Sequence, residues 1–171
     1  DGSIVMSSKG TVTYTGLDSL FDDSFAVNII VNLPAGPNVV TFSDDEVSGN
    51  AMSRLSGATF ATTDFVNPTT LFNPLGALEI NRGNAADTLT VNALPDFNSG
   101  LTIGSEPNPF AATTFAGAVT LAAGKTLRTD AGTVAVHSPL TATFGQIILL
   151  AGGDITFSGG NVQTGQFVAN A

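Results

Sequence analysis

The chain has no cysteine and no tryptophan, one tyrosine, one histidine, and only five lysines and arginines among 171 residues. Without cysteine there is no disulfide framework, no thiolate metal site and no thiol nucleophile. The single imidazole, His137, has no histidine or cysteine partner for a zinc site or a general-base relay, and a turn residue at a strand end is its competing reading. Five cations against 14 Asp and Glu leave a net charge of -9, an unfavourable balance for duplex nucleic acid or an anionic membrane. The longest apolar run, Ile147 to Ala151, is far too short to span a bilayer. The opening DGSIVMSSKG has no basic segment followed by an apolar one, so no signal peptide is read there. Helix is nearly excluded, because 19 Gly and 8 Pro interrupt any window long enough for an amphipathic one. Only Thr15 to Asp23 is expected to form a turn or two.

What is present is abundant threonine and asparagine, with Val, Ile and Phe in short alternating runs that favour strands. Hydroxyls and amides can keep a sheet surface wet without charge. The acids are unevenly placed: twelve lie at or before Glu106, and only Asp130 and Asp154 follow.

Two stretches repeat. At an offset of 49, Val31-Asn32 of NIIVNLPAGPNVVTF lies on Ile80-Asn81 of GALEINRGNAADTLTV, and Asn38 to Phe42 lies on Asp87 to Val91. Further on, Thr113 to Gly124 resembles Thr141 to Gly153, which extends the anchors Val31 and Ile80 to Leu121 and Leu149 at steps of 49, 41 and 28. A third strand is read after each copy: SGATF, SGLTI, AGTVAV and GNVQT. The shrinking step implies one three-strand unit with inserted loops, DDEVSGNAMSRLS, DFVNPTTLFNPL and SEPNPFAATT, in which prolines oppose a central strand.

Repeats of this length mark stacked architectures in which no unit buries its own apolar face. The expected fold is all-β: a right-handed parallel β-solenoid (β-helix) with three short strands per coil and loop insertions. A β-sandwich of the same strands is the alternative. Alternation assigns Val39 or Val40 with Phe42, and the pairs Leu78/Ile80, Leu89/Val91, Leu101/Ile103, Val119/Leu121, Val134/Val136, Ile147/Leu149 and Ile155/Phe157, to the interior. The chain reads as a single solenoid domain over 1–171, a fragment of a longer repetitive protein, with 1–25 as a cap or irregular edge.

The segments GAVTLAAGKTL, AGTVAV and LLAGGDITFSGGNVQTG resemble the β-solenoid regions of large secreted bacterial surface proteins, of the filamentous-haemagglutinin and autotransporter-passenger type. The likeness is best from Gly117 onward. It implies export to the cell surface, an elongated shape, and adhesion or structural spacing, with no inherited active site. Partners implied are adjacent repeats or other copies of the same protein, and a glycan or surface protein.

Candidate cation ligands are Asp44, Asp45 and Glu46, the densest oxygen cluster, with Asp22 and Asp23 as helpers if their segment packs alongside. Hard cations want several carboxylates on a loop, and a solvated acidic loop is the competing reading. GNAADTL, Gly83 to Leu89, resembles a degraded calcium-binding nonapeptide repeat, with Arg82 and Ala85 at glycine positions. It adds Asp87 and a calcium-stabilised module to the candidates, against a plain turn with Asp87 capping the next strand. Phe65, Phe72, Phe97 and Phe110 lie in or beside the insertions, where rings either stack on sugars or fold back over the core. A glycan-cleaving β-helix remains the enzymatic alternative to a non-catalytic segment, with Glu79 and Asp87 as an available carboxylate pair. Threonine ladders for ice binding find no single period in TVT at 11–13, TLT at 88–90 and TAT at 141–143, which read as ordinary β-propensity.

Overall fold

The computed structural model describes residues 2–6, 10–14, 19–22, 27–47, 49–66 and 76–171. Among them every regular element is a strand: β1 (Gly2–Met6), β2 (Gly10–Tyr14), β3 (Ser19–Asp22), β4 (Asn28–Asn32), β5 (Val39–Asp44), β6 (Met52–Gly57), β7 (Thr62–Val66), β8 (Ala77–Asn81), β9 (Thr88–Val91), β10 (Leu94–Phe97), β11 (Gly100–Ile103), β12 (Phe110–Phe115), β13 (Val119–Leu121), β14 (Thr126–Val136), β15 (Leu140–Ala151), β16 (Ile155–Phe157) and β17 (Val162–Asn170).

The parallel strands stack into roughly four turns of a β-solenoid. Three ladders make its walls. Ladder A contains β4, β8, β11, the start of β14, the end of β15 and the end of β17. Ladder B contains β5, β9, β12, the end of β14, and β16. Ladder C contains β10, β13 and the starts of β15 and β17. Strand alternation sends every second side chain inward, so like stacks on like: Ile29, Leu78, Leu101, Leu127, Ile147 and Phe167 form one column of ladder A. Phe42, Val91, Phe115, Val136 and Phe157 form one of ladder B. These columns, apart from their last members Phe167 and Phe157, belong to one core with the inward residues of ladder C, such as Leu94, Val119 and Leu140. All the inward pairs expected from alternation are buried, with Val40 and not Val39 facing in, except the last. Ile155 is only half-buried and Phe157 is 49% exposed, because their coil is the final one.

The offset of 49 is the true register of the first two coils: Val31 pairs with Ile80, Asn32 with Asn81, and Val39 to Phe42 with Thr88 to Val91. The later steps differ from expectation. Ile80 is followed in its column by Ile103, Thr129 and Leu149, so each later step is roughly half the first. Leu121 belongs to ladder C, between Phe97 and Ala142. The matched offset of 28 therefore joined non-equivalent strands, as did the grouping of SGATF, SGLTI, AGTVAV and GNVQT. The physical reason is that β14 and β15 each run through a corner without a loop, so the later coils are shorter and one strand serves two ladders.

All three expected insertions contain strand residues, the second supplying the end of β7 at Asp64–Val66 before it passes outside the described residues at 67–75. Residues 52–57 form β6, antiparallel on β5, and Phe110 to Phe115 form β12 inside ladder B. Pro107 and Pro109 are confined to a short corner, where Ser105 bridges Asn108. The turn or two of helix expected over Thr15 to Asp23 is replaced at 19–22 by β3, which lies parallel to β7; 15–18 and 23 lie outside the described residues. Antiparallel strands occur at the amino-terminal end, where β1 covers β4 and carries β2, and β6 covers β5 and carries β7.

Candidate functional site

The acidic cluster sits where β5 turns toward β6. Two of its carboxylates are committed locally: Asp44 Oδ2 accepts the Glu46 N–H at 3.2 Å, and Asp45 Oδ1 accepts the Val47 N–H at 3.0 Å. Asp45 Oδ2 accepts the Asn50 side-chain amide at 2.8 Å. Asp22 pairs with Phe65, Phe65 with Ser53, and Ser53 with Asp44, so two strands separate Asp22 from Asp44. Three strand spacings put their backbones ~14 Å apart. Asp23 lies outside the described residues. Beside the cluster, Arg54 and Asp64 face each other across β6 and β7 with a contact of 2.7 Å. That hydrogen bond raises the Arg54 pKa above its usual value.

Asp87 is fully buried at the corner between ladders A and B. Its Oδ2 accepts the N–H groups of Gly83 and Asn84 at 2.8 and 2.9 Å, tying its own turn. Its Oδ1 accepts the Asn38 N–H at 2.7 Å and the Asn38 amide at 2.8 Å, tying the turn to the previous coil. Asn38 in turn donates to Pro34 and Gly36 carbonyls and accepts from Thr59. Four protein donors thus occupy the carboxylate, two of them across coils. Asp87 binds the preceding coil as well as its own turn, where sequence reasoning assigned it to the following strand. Glu79, its suggested catalytic partner, accepts instead from the Asn81 amide at 2.8 Å on the outer side of β8.

The aromatic candidates divide. Phe97 and Phe110 are buried, and Phe97 meets Phe42 edge to face with centroids 5.5 Å apart. These two rings close the core and are unavailable to a sugar. Phe72 lies outside the described residues, as does the side chain of Phe65. The most exposed ring among the described residues is that of Phe144, 86% exposed, which no sequence feature singled out. It sits at the C–A corner with φ of 56°, a left-handed conformation that costs a residue with a Cβ of the order of 1 kcal/mol.

His137 is exposed at the corner between ladders B and C, and its Nδ1 meets Ser158 Oγ of the next coil. The pair combines a nucleophile with a base. Among the described residues no third group is bonded to the imidazole, and a bond between stacked corners is its geometric role. The threonines of ladder B stack outward as Thr41, Thr90 and Thr114 before Ala135 interrupts them, while TAT at 141–143 lies on another strand.

A groove of about 290 Å³ runs along the A–B corner toward the carboxyl-terminal end, lined in part by Glu106, Pro109, Asp130, Gly132 and Asn170. Asp130 is buried there, and Arg128 donates to both its oxygens at 2.8 and 3.1 Å. The bond to Asp130, aided by Glu106, raises the Arg128 pKa. Sequence reasoning missed this group; the signal was the spacing of Arg128 and Asp130, two apart on one strand and so on one face. At the C–A corner Lys125 is 9% exposed, and burial lowers its pKa.

No protein-family model, no curated protein and no solved structure matches the chain.

Proposed function

We propose that the chain is a non-catalytic structural or adhesive segment of a larger exported bacterial surface protein. The observation that carries this is the in-register ladder from β8 through β11, β14, β15 and β17. Each coil is held by its neighbours, so reach is set by coil number, and no central site is needed to organise the fold. The likeness of GAVTLAAGKTL, AGTVAV and LLAGGDITFSGGNVQTG to secreted surface proteins supplies the export part of the proposal. Its partners on this reading are adjacent repeats, other copies of the protein, and a glycan or surface protein. Fractionation of the source cells with an antibody to this chain tests it: signal removed by protease from intact cells is expected. Signal confined to the cytoplasm would overturn export.

A carbohydrate-active β-helix is the second reading, favoured by Glu106 and Asp130 lining one groove. Arg128 occupies both oxygens of Asp130, which leaves Glu106 to act alone where glycoside hydrolysis uses two carboxylates. Release of reducing ends from a panel of neutral and uronate glycans, abolished by Glu106→Gln, would replace the first reading with this one.

A further inference from the structure

Phe144 combines two features that a purely structural residue would lack, a φ of 56° and a ring that is 86% exposed. The left-handed region is the place of glycine or asparagine, and a bulky side chain there is an outlier. The backbone is forced into it from both sides. Gly124 of the preceding coil donates its N–H to the Thr143 carbonyl at 2.8 Å, and a Cβ on Gly145 would stand 1.8 Å from the Lys125 carbonyl oxygen. In the following coil Thr164 Oγ1 donates to the Gly145 carbonyl at 3.0 Å, and a Cβ on Gly165 would come within 3.2 Å of the Phe144 Cα. With a coil on each side of this corner, the ring projects laterally, and its exposure does not come from an end of the solenoid. None of these contacts uses the ring, and asparagine would satisfy them all with less strain.

We propose that Phe144 is the stacking platform of a binding site for a neutral glycan, with the Gln146 and Gln166 amides reading its hydroxyls, a site that rests on the adhesive reading and gives it a location. Gln146 lies two residues on, within ~7 Å along the backbone. It stacks in ladder A between Thr126 and Gln166, and its amide donates to Gln166 Oε1 at 2.6 Å. That bond orders the pair. Among the described residues it leaves Gln146 Oε1 free to accept and the Gln166 amide free to donate. On the other side of the corner, ladder C turns Thr120, Thr141 and Gln163 outward. A sugar offers the matching surfaces: an apolar C–H face for the ring, and hydroxyls at its edge for amides. Charge narrows the class. Lys125 is 9% exposed, no carboxylate occurs between Asp130 and Asp154, and the chain carries -9 overall, so nothing at this corner is arranged to take up a carboxylate or phosphate. Size narrows the occupant. One aromatic ring buries about 150–250 Å², which suits one sugar unit. A stable protein interface needs ~800 Å² from each side around an apolar core, whereas the residues flanking this ring are amides and hydroxyls.

Affinity electrophoresis tests this, with gels containing a neutral β-glucan, a xylan, a galactomannan or soluble starch, and polygalacturonate as the anionic control. Retardation is expected in at least one neutral gel and not in polygalacturonate. Phe144→Ala is expected to weaken it by at least about tenfold, the contribution of one aromatic stacking contact. Gln146→Ala should weaken it severalfold, and Phe144→Trp should retain it. Phe144→Asn should lose binding yet melt at or above the wild-type midpoint, which separates a binding ring from a structural one and serves should the alanine variant not fold. Retardation that survives these folded variants overturns the site and leaves adhesion to glycans standing. Retardation in no neutral gel overturns both the site and the glycan as partner, and leaves export to the fractionation test. Equal retardation by polygalacturonate overturns the neutral class. A Phe144→Asn protein that melts well below wild type, or dimers in light scattering that Phe144→Ala disperses, would give the ring to the fold or to a second copy and overturn the proposal.

Discussion

Asp87 Oδ1 accepts two hydrogen bonds from one residue, Asn38, 49 positions earlier: the backbone N–H at 2.7 Å and the side-chain amide at 2.8 Å. The second oxygen is filled by Gly83 and Asn84. Asp87→Ala leaves buried donors without an acceptor and is expected to destabilise the fold by about 3 kcal/mol. In a chain of this length that is a melting midpoint lower by roughly 6–12 °C. Asp87→Asn keeps one acceptor and turns an amide N–H₂ toward two other donors, so it should fall between wild type and Ala. Calorimetry on the three proteins checks the order.

Two glycine substitutions should have opposite signs. A Cβ on Gly145 would lie 1.8 Å from the Lys125 carbonyl oxygen of the coil below, so Gly145→Ala must push two coils apart, at a cost of about 1–3 kcal/mol. A Cβ on Gly36 meets nothing within 4 Å, and Gly36→Ala is expected to stabilise by about 0.4–1 kcal/mol through the unfolded chain. Urea midpoints measure both.

Burial lowers the Lys125 pKa below its ordinary value of 10.5, so between the folded and unfolded values the unfolded chain binds more protons and stability rises with pH. Below the folded value the amine is charged in both states and its burial cost is felt in full. Lys125→Met should therefore be more stable than wild type at neutral pH. The advantage should shrink as pH climbs through the folded pKa and level off above 10.5. An advantage independent of pH over that range would contradict the account.

Asp87 and Asp45 each spend both carboxylate oxygens on protein donors. Protein first shown to be metal-free is expected to melt within about 1 °C of the same midpoint with millimolar calcium or with chelator, since only a ligand that binds the native state at concentrations above its Kd moves it. A rise of several degrees with calcium would restore the cation reading of Asp44, Asp45 and Glu46.

The first inter-coil register was legible because Asn32 and Asn81, and Asn38 and Asp87, kept hydrogen-bonding side chains at an offset of 49. Inward positions were legible because alternation does not depend on knowing which coil follows which. The later register was not: Thr129 occupies the column of Ile80 and Leu149, bonding Thr113 at 3.3 Å inside the core, and so broke the apolar match that sequence comparison follows. Phe110 to Thr114, the end of SEPNPFAATT, reads as loop because two prolines precede it, whereas both prolines sit in the corner and β12 begins immediately after them. Of the candidate sites, Asp87 was visible as a turn residue, but its bond to Asn38 is a contact between coils that local sequence does not encode. Glu106 reaches Asp130 by the same kind of contact between coils, whereas Arg128 and Asp130 are two apart on one strand.

The uneven coil lengths bear on the order in which the chain folds. Joining β4 to β8 brings Asn28 to Ala77, while joining β14 to β15, or β15 to β17, closes a span less than half as long. The longer closure costs about 0.8 kcal/mol more in chain entropy before any contact repays it. The last coils are therefore expected to nucleate, and the amino-terminal coil to dock last onto their edge. A nascent chain would hold its first strands waiting until the final ones leave the ribosome. Pulse-labelled hydrogen exchange during refolding, with amides of β15 protected before those of β4, is the expected record of that order.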